Sequence, residues 1–132
     1  NDWYSPWNIP TLHNTDICHT TPKIDTQLTD RLKELIPEAP CCTYLQTNGP
    51  RFETTAEIAR FAKAADIVGM TIASELTLAA ELNIPAAALC TIDNYATGIC
   101  SHETTYDEVI AAAQQNGTKI TNLITKIIET LA

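Results

Sequence analysis

Cys42-Thr43-Tyr44-Leu45-Gln46-Thr47-Asn48-Gly49-Pro50-Arg51-Phe52-Glu53-Thr54-Thr55-Ala56-Glu57-Ile58 decides the fold. Cys42 to Gln46 reads as a strand, and Asn48-Gly49-Pro50 is turn chemistry that ends it. Thr54 with Glu57 three residues later is a capping box, in which each side chain satisfies the other residue's backbone N–H. Ile58, Phe61, Ala62 and Ala65 then share one apolar face, so the spacing predicts a helix. A strand, a turn and a capped helix in one stretch form the unit from which α/β proteins are built.

The same alternation continues downstream. Asp66 to Met70 reads as a short buried strand, Ser74 to Leu82 as a helix ending at Asn83, and Pro85 to Ile92 as another buried strand. Upstream, Leu28, Leu32, Leu35 and Ile36 recur at helical spacing and Pro37 and Pro40 stop them, which predicts a helix over 26–36. The first 24 residues hold Trp3, Tyr4, Trp7, Pro6, Pro10 and Pro22 without periodicity and read as an ordered loop packing its aromatics on something larger. A second capping box, Thr105 with Glu108, opens the last helix. Its apolar positions Val109, Ala113, Ile120, Leu123, Ile124, Ile127, Ile128 and Leu131 stay in phase across Gly117, which costs about 1 kcal/mol without ending it. Strands at 42–46, 66–70 and 85–92 make a small sheet. Parallel sheets are normally covered on both faces, so this one is expected to be completed from outside.

At 132 residues and 45% hydrophobic, residues 1–132 suffice for a single domain with a sizeable core. Eight basic residues against sixteen acidic ones give a net charge of -8. That balance opposes general binding to nucleic acid or to anionic membranes. No apolar run reaches the roughly 20 residues that span a bilayer, and Asn1-Asp2-Trp3-Tyr4 lacks the pattern of a signal peptide, so a cytoplasmic location is expected. Cys18, Cys41, Cys42, Cys90 and Cys100 are odd in number and include no C-x-x-C pair, which favours reduced thiols. Cys90, inside an apolar run, reads as a small core residue. Asn116-Gly117-Thr118 matches a glycosylation sequon that has no secretory context.

Two further motifs stand where apolar runs end, the places at which α/β proteins present groups to ligands: Val68-Gly69-Met70-Thr71 and Thr91-Ile92-Asp93-Asn94-Tyr95. With Asn48-Gly49-Pro50-Arg51-Phe52-Glu53-Thr54 before them, the order resembles the C-terminal half of the trimeric purine nucleoside phosphorylase and methylthioadenosine phosphorylase family. The match is best from about Thr43 to Ile99. The resemblance implies a three-layer αβα, phosphorylase-like fold, of which this chain is the C-terminal part of a mixed sheet flanked by helices.

It also implies roles. Phe52 would stack on a purine, and Glu53 would accept from N1–H and the 2-amino group of a 6-oxopurine. Asn94 would be the catalytic group, donating to N7 or O6 as charge builds on the leaving base. Val68 and Gly69 would contact the substrate, Met70 would pack on the ribose, and Thr71 would touch phosphate. His19 resembles a residue that reaches toward the 5′ substituent, and His102 and Tyr106 are weaker candidates for the same pocket. Each position also has a plain reading. Phe52 suits a core, Glu53 suits a helix dipole, Asn94 suits a turn, and Met70 suits a gap in the core. Glu75 suits a helix cap or a ribose hydroxyl, and His19 an ordinary surface.

The function expected from the resemblance is phosphorolysis of purine nucleosides, 6-oxopurines favoured, to free base and ribose 1-phosphate. Inorganic phosphate is the co-substrate and no cofactor or metal is called for. Glu53 with Asn94 favours this base class, because members preferring 6-aminopurines tend to carry Ser after the Phe and Asp in place of Asn94. The family's glycine-rich loop and its Arg-His phosphate ligands have no counterpart here, and Arg51 reads as a turn anchor. Catalysis is therefore expected to need a complementary N-terminal half, or neighbouring copies in a trimer-based homo-oligomer. A noncatalytic nucleoside-binding or assembly subunit and a hydrolytic nucleosidase are the alternatives.

Overall fold

The structure, a computed structural model, describes residues 2–7, 9, 11–12, 20–102 and 104–131. The described elements are β1 (Asp2–Tyr4), α1 (Thr26–Leu35), β2 (Thr43–Gln46), α2 (Thr55–Phe61), β3 (Ile67–Gly69), α3 (Ile72–Glu81) and α4 (Tyr106–Leu131). They fall into two compact units, Asn1–Phe52 with Ala59–Leu89, and Glu53–Ile58 with Cys90–Ala132.

The first unit holds the sheet, whose strands lie in the order β1-β2-β3 and are all parallel. Trp3 pairs with Tyr44, and Leu45 with Val68. Central β2 is the core of this unit: Leu45 is fully buried, and Tyr44 and Gln46, two residues apart and so on the opposite face, are almost as deep. Helix α3 packs on β2 and contributes buried Ala73 and Leu76, with Ile36 buried at the end of α1. Asp25 caps α1 by accepting from the Leu28 N–H at 2.8 Å, and Pro37 follows the end of the helix. The Trp7 ring meets Phe61 edge to face, with centroids 6.1 Å apart.

The parallel strand–helix alternation bears out the α/β class. Two elements differ from expectation. Residues 2–4, read as loop, form β1, because pairing with β2 orders a segment too short to show any period of its own. Residues 85–92, read as a strand, carry none. An apolar run becomes a strand only when a ladder partner satisfies its backbone, and here the Ala86 carbonyl instead accepts from the Asp25 N–H at 2.8 Å.

In the second unit α4 runs unbroken for 26 residues through Gly117. Nothing lies within 4 Å of where a Gly117 Cβ would stand. Gly117→Ala is therefore expected to stabilise the chain by about 1 kcal/mol through helix propensity alone. Urea unfolding followed by far-UV circular dichroism checks this. Cys41, Cys42, Cys90 and Cys100 are in no disulfide. No helix among the described residues is long and apolar enough to cross a membrane.

Candidate functional site

In the first unit the groups singled out at Gly69, Met70 and Thr71 sit at the carboxyl end of β3, where it passes into α3. Two close approaches hold this turn. A Cβ on Gly69 would overlap the Tyr44 hydroxyl, so glycine is what lets the tyrosine lie against the turn. A Cβ on Gly49 would stand 2.7 Å from the Met70 sulfur. Gly49 also has φ of +62°, which favours glycine independently, and the following Gly49–Pro50 peptide is cis. The Asn48-Gly49-Pro50 turn after β2 and the Gly69-Met70-Thr71 turn after β3 are thus in contact, as parallel neighbours ending at the same edge should be.

Hydrogen bonds complete the arrangement. The Thr71 N–H donates to the Tyr44 hydroxyl at 3.3 Å. Gln46 makes two bonds with Ser74: its Nε2 donates to Ser74 Oγ at 2.6 Å, and its Oε1 accepts from the Ser74 N–H at 2.9 Å. Thr71 is the N-cap residue of α3, yet its hydroxyl makes no capping bond. Met70 and Thr71 are exposed, as is Phe52, 42% accessible after the turn. Arg51 Nη1 donates to the Phe52 carbonyl at 3.0 Å, in keeping with its reading as a turn anchor. Val68 is half-buried within β3.

A cavity of about 310 Å³ lies elsewhere in this unit, lined by Ile72, Glu75, Leu76, Ala79 and residues 86–89. Glu75 faces it from the first turn of α3. Of the residues given a ligand role from the sequence, Glu75, read as a helix cap or a ribose contact, lines this cavity, and Phe52, Val68, Gly69, Met70 and Thr71 do not.

The second unit holds Glu53 and Asn94. Glu53 is 9% exposed, and Thr54 begins the capping box directly after it: the Thr54 N–H donates to Glu57 Oε2 at 2.7 Å, and the Glu57 N–H to Thr54 Oγ1 at 3.2 Å. Since the box accounts for the cap, Glu53 is not needed for it. Asn94 is exposed, and its Nδ2 donates to the Tyr95 carbonyl at 2.9 Å, the bond of a turn residue. Beside it, Asp93 Oδ1 is buried with no hydrogen-bond partner. Gly98, with φ of +80°, meets the side chain of Thr55 at the distance where a Cβ would clash, which fixes a glycine there.

At the start of α4 the Thr105 N–H donates to Glu108 Oε2 at 2.8 Å, and His102 Nε2 lies 2.8 Å from Glu108 Oε1. The Thr105 N–H first, and the His102 bond second, hold the Glu108 carboxyl below its ordinary range. A carboxyl depressed on folding contributes stability above its unfolded pKa, and that contribution is lost as pH falls through the folded one. His102 and Tyr106 are both exposed, and the histidine is engaged with α4's own cap. His19 lies outside the described residues.

Sequence reasoning passed over Tyr44 and Gln46, the two side chains beneath the β3–α3 turn. The available signal was their i, i+2 spacing on a strand otherwise apolar at Leu45, which puts two polar groups on one buried face. No group of three or more His, Cys, Asp or Glu among the described residues is placed to hold a metal ion.

The sequence matches the phosphorylase superfamily over residues 5–129. It is 38% identical to a probable 6-oxopurine nucleoside phosphorylase of Archaeoglobus fulgidus, over 98% of this chain and 56% of that protein. It is 47% identical to a probable S-methyl-5'-thioinosine phosphorylase of Methanopyrus kandleri, over 65% of this chain and 34% of that protein. To the 6-oxopurine nucleoside phosphorylase of Pyrococcus furiosus it is 40% identical, over 67% of this chain and 34% of that protein. The chain thus spans between about a third and just over half the length of these relatives. With a match covering nearly all its residues and a parallel α/β sheet, the chain belongs to the phosphorylase superfamily.

Proposed function

We propose that this chain is part of a purine nucleoside phosphorylase that cleaves 6-oxopurine nucleosides with inorganic phosphate. A phosphate oxygen forms a bond to C1′ while the C1′–N9 bond breaks. The bonding electron pair leaves with the base, which takes up a proton. The products are the free purine and ribose 1-phosphate.

In this reading Phe52 stacks on the base and Glu53 accepts from N1–H. Asn94 donates to N7 or O6 in the transition state, where such a bond lowers the barrier most. Val68 and Gly69 contact the substrate, Met70 packs on the ribose, Thr71 meets phosphate, and His19 is assigned to the 5′ substituent. The observation that carries the proposal is the contact of the two turns that follow β2 and β3, where Met70 lies against Gly49 and where Phe52, Met70 and Thr71 are exposed. A carboxylate only accepts hydrogen bonds, and a 6-oxopurine presents an N1–H to it. The printed names of the relatives support the same base class.

The remaining phosphate ligands, and the cover for exposed Ile110, Ile124 and Ile128 on α4, are proposed to come from a complementary N-terminal chain or from copies in a homo-oligomer, acting in purine salvage in the cytoplasm. The second reading, a noncatalytic nucleoside-binding subunit, draws on one observation: Arg51, the arginine within the matched motif, is turned to the Phe52 carbonyl. Hypoxanthine release from inosine, with and without phosphate, separates the two. Phosphate-dependent release from the chain with its complement supports catalysis, and base binding without release supports the subunit.

A further inference from the structure

We infer that Gln46 caps helix α3 in place of Thr71 and thereby leaves the Thr71 hydroxyl for phosphate. The inference rests on the proposed phosphate role of Thr71. An α-helix begins with N–H groups that have no partner within it, and the side chain of the N-cap residue ordinarily accepts from the second or third of them. Thr71 is the N-cap of α3 and is a good capping residue by type, yet it makes no such bond. The third amide, that of Ser74, is satisfied from 28 positions away, by Gln46 Oε1 at 2.9 Å. The Gln46 amide also donates to Ser74 Oγ at 2.6 Å, so both ends of the glutamine are used and its orientation is fixed.

The arrangement is built and deep. Gln46 is 6% exposed, held on the central strand, while Thr71 is exposed at the carboxyl end of β3. Tyr44, on the same face of β2, accepts from the Thr71 N–H at 3.3 Å and holds the backbone of the cap. Strand β2 thus satisfies the main chain of the turn at two points, Thr71 and Ser74. The Thr71 side chain is not required by the helix. Gln46 and Tyr44 are positioning residues, and the hydroxyl they release is the group offered to an anion.

A double-mutant cycle tests this. In the native chain Thr71→Ala should move Tm by less than about 1 °C, because no cap is lost. In Gln46→Met, Thr71 is free to swing onto the Ser74 N–H, and Thr71→Ala should then lower Tm by about 3 to 5 °C, the cost of an N-cap in a domain of this size. Equal shifts in the two backgrounds would overturn the inference. In an assembly that cleaves inosine, Gln46→Met should raise KM for phosphate about tenfold and leave hypoxanthine affinity within about twofold. Gln46→Glu, whose two oxygens can accept from both Ser74 donors, should restore it. A KM for phosphate unchanged by Gln46→Met, or a parallel loss of base and phosphate binding, would also overturn it. If the assembly shows no phosphate-dependent cleavage, the functional reading falls, and the Tm cycle still decides whether Gln46 caps α3.

Discussion

Asn94→Ala is expected to lower turnover of the active assembly by on the order of 10²-fold, with a much smaller effect on the binding of the free base. The argument is one of timing. As C1′–N9 breaks, negative charge collects on the purine, and a donor aimed at N7 or O6 stabilises that charge more in the transition state than in the ground state. Removing one such donor commonly costs this much in kcat. The structure leaves the amide available: its bond to the Tyr95 carbonyl is local and the side chain is exposed. Steady-state kinetics with inosine measure the effect. A change within about threefold, which is well under 1.36 kcal/mol of barrier, would remove Asn94 from the chemistry.

Base preference should be nearly as large an effect. In the proposed site Glu53 would accept from an N1–H that hypoxanthine and guanine carry and adenine lacks. With adenine the carboxylate would face a ring lone pair in place of that donor, and a hydrogen bond to a charged group is worth about 1.5 to 3 kcal/mol. Hypoxanthine is therefore expected to bind at least about tenfold tighter than adenine. Glu53→Gln, which can donate to N1 through its amide, should narrow that ratio by a similar factor. Calorimetric titration of both bases reads both numbers. Adenine binding equal or tighter in the native protein would move the reading to a 6-aminopurine substrate.

How much of this was legible before the fold was known depends on the range of the interaction that sets each feature. Both capping boxes were visible because their partners are three residues apart, and the Thr54–Glu57 and Thr105–Glu108 bonds form as spaced. Helix α1 ended where Pro37 required, and α4 crossed Gly117 because its apolar phase continued. The start of α3 was placed two residues late, at Ser74 and not Ile72. The reason is instructive: the group that caps it is Gln46, on another strand, and no local pattern announces a cap supplied from 28 positions away. Residues 85–92 had the composition of a strand without a ladder to join, and residues 2–4 had a ladder without the composition. For the candidate site, the turns that follow β2 and β3 were legible as turns, from Asn48-Gly49-Pro50 and from the end of the apolar run at Gly69. That they touch through Gly49 and Met70 was not, since only the glycine's missing side chain admits the sulfur.

The most direct test of the central claim is phosphorus-31 NMR of inosine incubated with phosphate and the chain, complemented by the N-terminal part of a related phosphorylase. The account predicts a ribose 1-phosphate resonance that grows in step with hypoxanthine and with loss of inorganic phosphate, and that is suppressed by Asn94→Ala. Hypoxanthine released with free ribose and no consumption of phosphate would contradict it and make the protein a hydrolase.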